Sequence, residues 1–508
     1  MSRFGGPTLR SGESADITLL LEGTYPFVSG GVSSWVHQII RGLPDIRFAL
    51  CFLGGAQDAY EKIRYELPKN VVHLEEHFLA EVPRHQRLIG IPGHAEFYAK
   101  SAALHDELAG KGAKLEKMLD GIIRLLLSDP ERHERDFLFS EASWQEICAR
   151  YERSSRERSF LEYFWTVRSM HAPLFKMARV AAALPPTKAF HVISTGFAGF
   201  LGMLACTKRK LPLILTEHGI YAKERRIELL QASWIKDDED VADLGGIGFF
   251  RGMWIRFFEA LAKMSYAAAD PILSLYEGNR QRQIRDGAPS ERTRVVPNGI
   301  DLNRFAALRE RRSKEIPKVL GLIGRVVPIK DIKTFIRALR LVVNEMPEAE
   351  GWIVGPEDED KNYAEECHHL VENLGLTDKV KFLGFQKVED IFPKLGLNVL
   401  TSISEAQPLV VLEGFAAGVP CVSSDVGCVR ELIEGTTAED RAYGVGGSIV
   451  DIASPDATAR AAMALLRDPE RWRRAQEAGI RRTTAIYTQE LMLERYGGIY
   501  ATALGRKD

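Results

Sequence analysis

From residue 319 onward the chain repeats one pattern, a short apolar run followed by a segment of helix length, and few folds accommodate it. The runs are Val319-Leu320-Gly321-Leu322-Ile323, Gly351-Trp352-Ile353-Val354-Gly355, Val380-Lys381-Phe382-Leu383-Gly384, Leu397-Asn398-Val399-Leu400-Thr401, Pro420-Cys421-Val422-Ser423-Ser424 and Gly447-Ser448-Ile449-Val450. A helical pattern near Ile332 to Asn344 follows the first of them. Strands alternating with helices require crossover connections, so a doubly wound parallel sheet is predicted. The amino-terminal half opens in the same way, with a strand at Ile17 to Leu21, a loop ending in Ser29-Gly30-Gly31 and a helix from Val32 to Arg41. Strands resume at His191 to Ser194 and at Leu213 to Thr216. Between about Ala95 and Ala183 helical patterns dominate, among them Leu115 to Leu127 and Tyr163 to Ala183, which predicts a helical insertion in the first domain.

The expected fold class is therefore α/β, with two doubly wound parallel-sheet domains, the first over 1–305 and the second over 318–485. Asn298-Gly299 is a turn dipeptide, and the charged stretch Ala306 to Pro317 behind it reads as the linker. The last helix, Gln489 to Leu504 within 486–508, is amphipathic through Leu491, Leu493, Tyr496, Ile499 and Tyr500, and is expected to pack back on the first domain.

Charge and cysteine usage narrow the function. Of 508 residues, 67 are Lys or Arg and 69 are Asp or Glu, so a net charge of −2 gives no electrostatic case for nucleic acid or an anionic membrane surface. Six cysteines (Cys51, Cys148, Cys206, Cys367, Cys421 and Cys428) are scattered with no C-x-x-C pair, the pattern of reduced thiols in a cytoplasmic protein. The apolar run Ile17 to Leu21 is too short for a signal peptide or a span, so any membrane association is expected to come through protein partners.

Two segments carry the chemistry. Gly324-Arg325-Val326-Val327-Pro328-Ile329-Lys330 follows a predicted strand, and Ser404-Glu405-Ala406-Gln407-Pro408-Leu409-Val410-Val411-Leu412-Glu413-Gly414 follows another, so both fall on the carboxyl edge of one sheet, where such folds bind ligands. Pro408 suits the first turn of a helix, placing Glu405 in the preceding loop and Glu413 about two turns in. If most of the stretch is helical, the two carboxylates stand roughly 12 Å apart along the axis, comparable to a pyrophosphate bridge. One acid would then hold a hexose and the other a ribose. The N–H groups of Leu409 and Val410, with Arg325 and Lys330, would cage the phosphates, so neither a metal nor a cofactor is expected. Alone, Arg325 with Lys330 would be a solvated pair and Glu413 a surface residue; their convergence on one edge favours a site.

Other patterns carry less. His73-Leu74-Glu75-Glu76-His77 matches the H-x-x-E-H of inverted zinc peptidases, whose histidines must share a helical face. Here Pro68-Lys69-Asn70 is a turn and Val71-Val72 a β-branched run, which argues for a strand and against that metal site. Glu357-Asp358-Glu359-Asp360 reads as a solvated loop.

Taken with Gly30-Gly31-Val32, Thr216-Glu217-His218-Gly219 and Val296-Pro297-Asn298-Gly299-Ile300-Asp301, these segments resemble, in order and spacing, the retaining glycosyltransferases of family four. The resemblance covers most of the chain. It implies the GT-B fold, two Rossmann-like domains facing a central cleft, and transfer of a hexosyl unit from a nucleoside diphosphate sugar. It also assigns Arg325 and Lys330 to the diphosphate, Glu413 to the ribose, Glu405 and His218 to the donor hexose, and Gly30, Gly31 and Gly324 to close backbone approach. The opening Leu19 to Val36 and Asn70 to Phe78 are more similar still to the glycosyltransferase of bacterial Pel exopolysaccharide synthesis, the PelF type. That resemblance implies a UDP-sugar donor, a growing saccharide acceptor and a synthase complex at the inner membrane. The family more often has Glu-Gly-Phe-Pro where this chain has Glu405-Ala406-Gln407-Pro408, a departure that bears on the identity of the donor sugar. The alternatives are another GT-B activity, such as an epimerase or phosphorylase, and a noncatalytic subunit of a membrane polysaccharide synthase.

Overall fold

The computed structural model describes residues 4–80, 91–109, 115–235 and 247–506. The chain divides into two compact units: Met1–Ser274, Gln281–Arg294 and Tyr496–Asp508 form unit 1, and Leu275–Arg280 with Val295–Arg495 form unit 2.

Unit 1 is built on β1 (Ala15–Glu22), β2 (Phe48–Gly54), β3 (Val71–Phe78), β4 (Thr187–Val192), β5 (Leu213–Glu217), β6 (Ile272–Ser274) and β7 (Thr293–Val295). They lie in the order β3-β2-β1-β4-β5-β6-β7, and the pairings from β3 through β6 are parallel. β2 is buried along its whole length, as a strand covered on both faces must be. The expected helical insertion is present as helices Ala95–Ala109, Leu115–Ser128, Pro130–Phe139, Glu141–Ser154 and Phe160–Ala183. Side chains of the last three join Leu20, Cys51 and Leu53 of the sheet in one apolar cluster.

Unit 2 carries β8 (Val319–Ile323), β9 (Glu350–Val354), β10 (Val380–Phe382), β11 (Leu397–Leu400), β12 (Cys421–Ser424) and β13 (Gly447–Val450). All pairs are parallel, in the order β10-β9-β8-β11-β12-β13. Helix Ile332–Glu345 buries Ile332, Phe335, Ile336, Leu339 and Val342, the 3.6-residue stripe of a helix covering a sheet. In both sheets the strand order reverses once, between β1 and β4 and between β8 and β11, and a reversal of this kind leaves a crevice at the carboxyl ends.

One expectation changes. The stretch 306–317 is not a free linker: Phe305 and Leu308 are buried, Arg309 Nε donates to the Ala416 carbonyl at 2.7 Å, and Arg312 donates to the carbonyls of Phe392 and Leu395 at 2.8 and 2.7 Å. Arg309 and Arg312 thus spend their charges on backbone oxygens of unit 2, and Arg311 pairs with Asp390, partners that composition alone does not reveal. The segment from Tyr496 belongs to unit 1, where the Tyr500 hydroxyl meets His191 Nδ1 at 2.7 Å and the Tyr496 hydroxyl meets Thr216 Oγ1 at 3.2 Å.

Candidate functional site

The crevice between β8 and β11 is where unit 2 gathers the residues singled out from sequence. Gly324 and Arg325 leave the end of β8, a 3-10 turn at Pro328–Lys330 follows, and Asp331, in the left-handed region at φ 45°, caps helix Ile332–Glu345 through the Thr334 N–H at 3.2 Å. From the β11 side, Thr401 Oγ1 donates to the carbonyls of Lys330 and Asp331 at 3.0 and 2.9 Å, and the Ile403 N–H donates to the Ile329 carbonyl at 2.9 Å. These bonds fasten the two loops together before any side chain of the site is placed.

Lys330 Nζ donates to Glu405 Oε1 at 2.5 Å, and Ser402 Oγ donates to the same oxygen at 2.7 Å. Both bonds fall on Oε1, so among the described residues Oε2 accepts none. The ammonium has three donors and one is used. Arg325 Nη1 donates to both carboxylate oxygens of Glu359 at 2.6 Å, so the acidic run 357–360 is more than a solvated loop: Glu359 pairs Arg325, Glu357 meets His368 Nε2 at 2.7 Å, and Asp360 caps helix Lys361–Asn373. The guanidinium keeps its remaining donors, and with half its side-chain surface exposed (53%) it is accessible to an anion.

Glu413 departs from expectation in position. Pro408 is the cap of helix Leu409–Ala416 and not its first residue, so Glu413 stands just over one turn in. Only part of the stretch from Glu405 is helical, and the roughly 12 Å axial separation expected from an all-helical path does not apply. The helix start has no side-chain cap; the N–H groups of Leu409 and Val410 are among the donors that an α-helix cannot satisfy internally. Glu413 is half-buried, and burial pushes its carboxyl above the ordinary range, with Arg304 pulling it down and Glu389 adding to the rise. No hydrogen bond to its carboxylate is made by the described residues, whereas Arg304 spends its own on Glu389 at 2.5 Å.

Several contributors escaped the sequence reading. Gly355 has φ +154°, and a Cβ there would stand 2.0 Å from the Gly324 carbonyl oxygen, so only glycine lets the β8 and β9 loops touch. The Gly355 N–H donates to the Gly384 carbonyl at 2.8 Å, bringing in the β10 loop, whose Phe385 is 82% exposed. Gln407, the departure from the family pattern, is buried and accepts from the Asn298 N–H at 2.8 Å. It braces the Asn298-Gly299 turn, and Gly299 is needed there because a Cβ would lie 2.1 Å from the Thr488 carbonyl oxygen.

Gly30, Gly31 and His218 lie in unit 1. Gly30 caps helix Gly31–Gly42 with no side-chain hydrogen bond, and Cβ atoms at either glycine would meet open space. Trp35 of that helix stands edge-on to His218 at 4.6 Å. Burial holds the His218 imidazole down at about 4, hence neutral near pH 7. Its neighbour Glu217 is fixed by protein donors: Thr195 Oγ1 at 3.0 Å, the Tyr221 N–H at 3.2 Å, the Tyr266 hydroxyl at 2.6 Å and Gln283 Nε2 at 3.0 Å.

Comparison with known proteins agrees with this fold. Residues 15–291 match the family described as Domain of unknown function (DUF3492), and residues 304–482 match Glycosyl transferases group 1. A D-inositol 3-phosphate glycosyltransferase of Thermobispora bispora is 27% identical over 61% of this chain and 69% of its own length. An N-acetyl-alpha-D-glucosaminyl L-malate synthase of Bacillus anthracis is 29% identical over 37% of this chain, which spans about half (47%) of that relative. The crystal structure of Anabaena HepE in complex with UDP and glucose superposes with a TM-score of 0.57 at 15% identity, covering 96% of this chain and 100% of that one, and agrees in fold. The matches support a glycosyltransferase that uses a nucleotide sugar. With more than half its length in the match, the chain belongs to the DUF3492 family, here joined to a Glycosyl transferases group 1 domain in a GT-B fold of two Rossmann-like parallel-sheet units.

Proposed function

We propose that the protein is a retaining, metal-independent hexosyltransferase that takes a UDP-sugar and extends a growing exopolysaccharide, of the Pel type in the closer resemblance. The observation that carries this reading is Glu413: a half-buried carboxylate without a hydrogen-bond partner among the described residues, one turn inside a helix that has no side-chain cap at its start. Leaving an acidic group desolvated and unpaired costs free energy, and two vicinal ribose hydroxyls are donors suited to offset that cost. The helix N–H groups, Lys330 and Arg325 supply positive potential for the diphosphate. UDP as the nucleotide is supported by the UDP complex of HepE, a fold relative.

In this reading the bond from the anomeric carbon to the β-phosphate oxygen breaks as negative charge builds on the phosphate. Lys330 and Arg325 are preorganised where that charge develops, which is the largest lever a site of this kind has. Glu405 presents Oε2 to a hexose hydroxyl while Oε1 stays on Lys330 and Ser402. Retention follows from acceptor attack on the face the phosphate leaves, assisted by a departing phosphate oxygen. The neutral His218 imidazole and the open backbone at Gly30 and Gly31 suit contacts with sugar hydroxyls. Membrane association, in the Pel-type reading, runs through partner proteins of a synthase complex.

A thermal-shift panel of nucleotide sugars tests the donor class, because a ligand of the folded state raises its melting temperature by mass action. UDP-sugars should give the largest shifts, and UDP should accumulate only when a saccharide acceptor is added; UDP or a new sugar isomer without acceptor would favour an epimerase or phosphorylase. Manganese or magnesium added to desalted protein should leave the rate unchanged, and a large stimulation would contradict metal independence.

A further inference from the structure

The outer edge of the unit 1 sheet holds a second cluster that transfer chemistry does not use. On β3 the residues of one face alternate as His73, Glu75 and His77, and Cys51 on β2 stands in register with Glu75. The sequence pattern at this place has helical spacing, but the strand's period of two changes its membership: Glu76 turns away and Glu75 comes in. The thiol of Cys51, a carboxylate oxygen of Glu75 and a ring nitrogen of His77 all lie within 4.8 Å of one another.

Three buried atoms here, His73 Nε2, Glu75 Oε1 and His77 Nε2, make no hydrogen bond among the described residues. They nevertheless point at one another, with His77 Nε2 3.4 Å from Glu75 Oε1 and His73 Nε2 3.5 Å from Glu75 Oε2. Charge-assisted hydrogen bonds close to about 2.7–2.9 Å. Two donors that each sit about 2.0–2.1 Å from a tetrahedral zinc stand roughly 3.3 Å apart, close to what is found. We propose that this edge binds one zinc ion through Cys51 Sγ, Glu75 Oε1 and His77 Nε2, with water in the fourth position.

The remaining groups fit that assignment. His73 Nδ1 accepts from the Leu9 N–H at 3.4 Å, which puts the ring proton on Nε2, facing Glu75 Oε2. His73 is thus a positioning residue that orients the carboxylate from behind. Zinc takes the place of the Cys51 thiol proton, which leaves to solvent as the S–Zn bond forms. The cation facing this cluster, Arg209, gives its hydrogen bonds to the carbonyls of Leu184 and Pro185 and leaves Glu75 free. The mixed thiolate, imidazole and carboxylate set suits zinc better than magnesium or calcium. Such an ion would clip β3, the outermost strand, to β2.

The test uses the full chain purified with zinc in the medium and desalted. About one zinc per chain is expected, and cobalt exchanged for it should give the near-ultraviolet thiolate-to-cobalt charge-transfer band. Cys51→Ser should abolish the band, and His73→Gln should keep it while weakening the metal by roughly 10- to 100-fold. Should Cys51→Ser fail to fold, His77→Gln replaces it, with loss of the metal as the expected result. A folded wild-type protein that holds no zinc, or holds it without the thiolate band, or keeps the band in a folded Cys51→Ser variant, overturns the proposal.

Discussion

The two sheets have the same reversal of strand order, yet they treat the resulting crevice in opposite ways. In unit 1 the crevice between β1 and β4 is closed by the protein's own anion: Glu22 at the end of β1 accepts from the Ala198 N–H at 2.9 Å and the Ser194 hydroxyl at 3.4 Å through Oε2, and from the Tyr221 hydroxyl at 2.7 Å through Oε1. A carboxylate at the start of helix Phe197–Arg209 already occupies the place an anionic ligand would take. In unit 2 the corresponding helix start at Leu409 carries no such cap, and Lys330 and Arg325 are each paired to one carboxylate with donors to spare. One strand order thus meets two kinds of helix start, one capped by the protein's own carboxylate and one with no side-chain cap.

This contrast is sharpest at Lys330. Lys330→Ala should lower kcat/KM by roughly 100- to 1,000-fold, the scale of removing one donor to developing charge, with little loss of thermal stability. In unit 1 the effects should reverse. Glu217→Ala strands four protein donors and should cost about 3 kcal/mol of folding stability in denaturant titration, while Glu22→Ala should cost about 2 kcal/mol and leave UDP affinity intact. If Glu22→Ala abolished UDP binding in folded protein, the division between scaffold and site would fail.

Protonation gives a further test on the scaffold side. Burial holds His191 down at about 3 and His218 at about 4, against 6.5 for an ordinary imidazole. Between those values the unfolded chain binds protons that the native state refuses. The stability these neutral rings contribute is therefore complete above about pH 6.5 and declines as pH falls towards 4. Melting temperatures at about pH 5 and about pH 7.5 should show the loss, and His191→Gln should flatten it; an unchanged slope would place the protonation elsewhere. The smallest effect is expected at the exposed Arg325 pair. Glu359→Gln should change stability by less than about 1 kcal/mol and lower the donor KM modestly, because the guanidinium no longer has a competing carboxylate.

Much of the architecture is legible in the residues because parallel strands covered on both faces read as unbroken apolar runs. β8 and β13 coincide with their runs, and helix Ile332–Glu345 begins where its stripe begins. The three-residue strands β6 and β7 give too little signal, and the charged stretch at 306–317 misleads because Arg309 and Arg312 reach backbone carbonyls that no local pattern reveals. At the site, residue types were readable and partnerships were not: Arg325 and Glu359 are 34 positions apart, and Gly355 matters only because another loop presses on it. Glu413 stands one residue nearer the helix start than it would with Pro408 inside the helix, because Pro408 caps the helix from outside it. The β3 strand was legible, but the cluster on it was not, because Cys51 reaches Glu75 only through the pairing of β2 with β3.

Calorimetric titration of UDP into the wild type, Glu413→Ala and Glu405→Ala addresses the central assignment directly. Glu413→Ala removes an acceptor for two ribose hydroxyls and should weaken UDP by about 1–3 kcal/mol, roughly 5- to 150-fold, whereas Glu405→Ala should leave UDP affinity within about threefold while impairing transfer. Wild-type affinity in a folded Glu413→Ala protein, or an equally severe loss of UDP binding in Glu405→Ala, would contradict the placement of nucleotide and sugar along helix Leu409–Ala416.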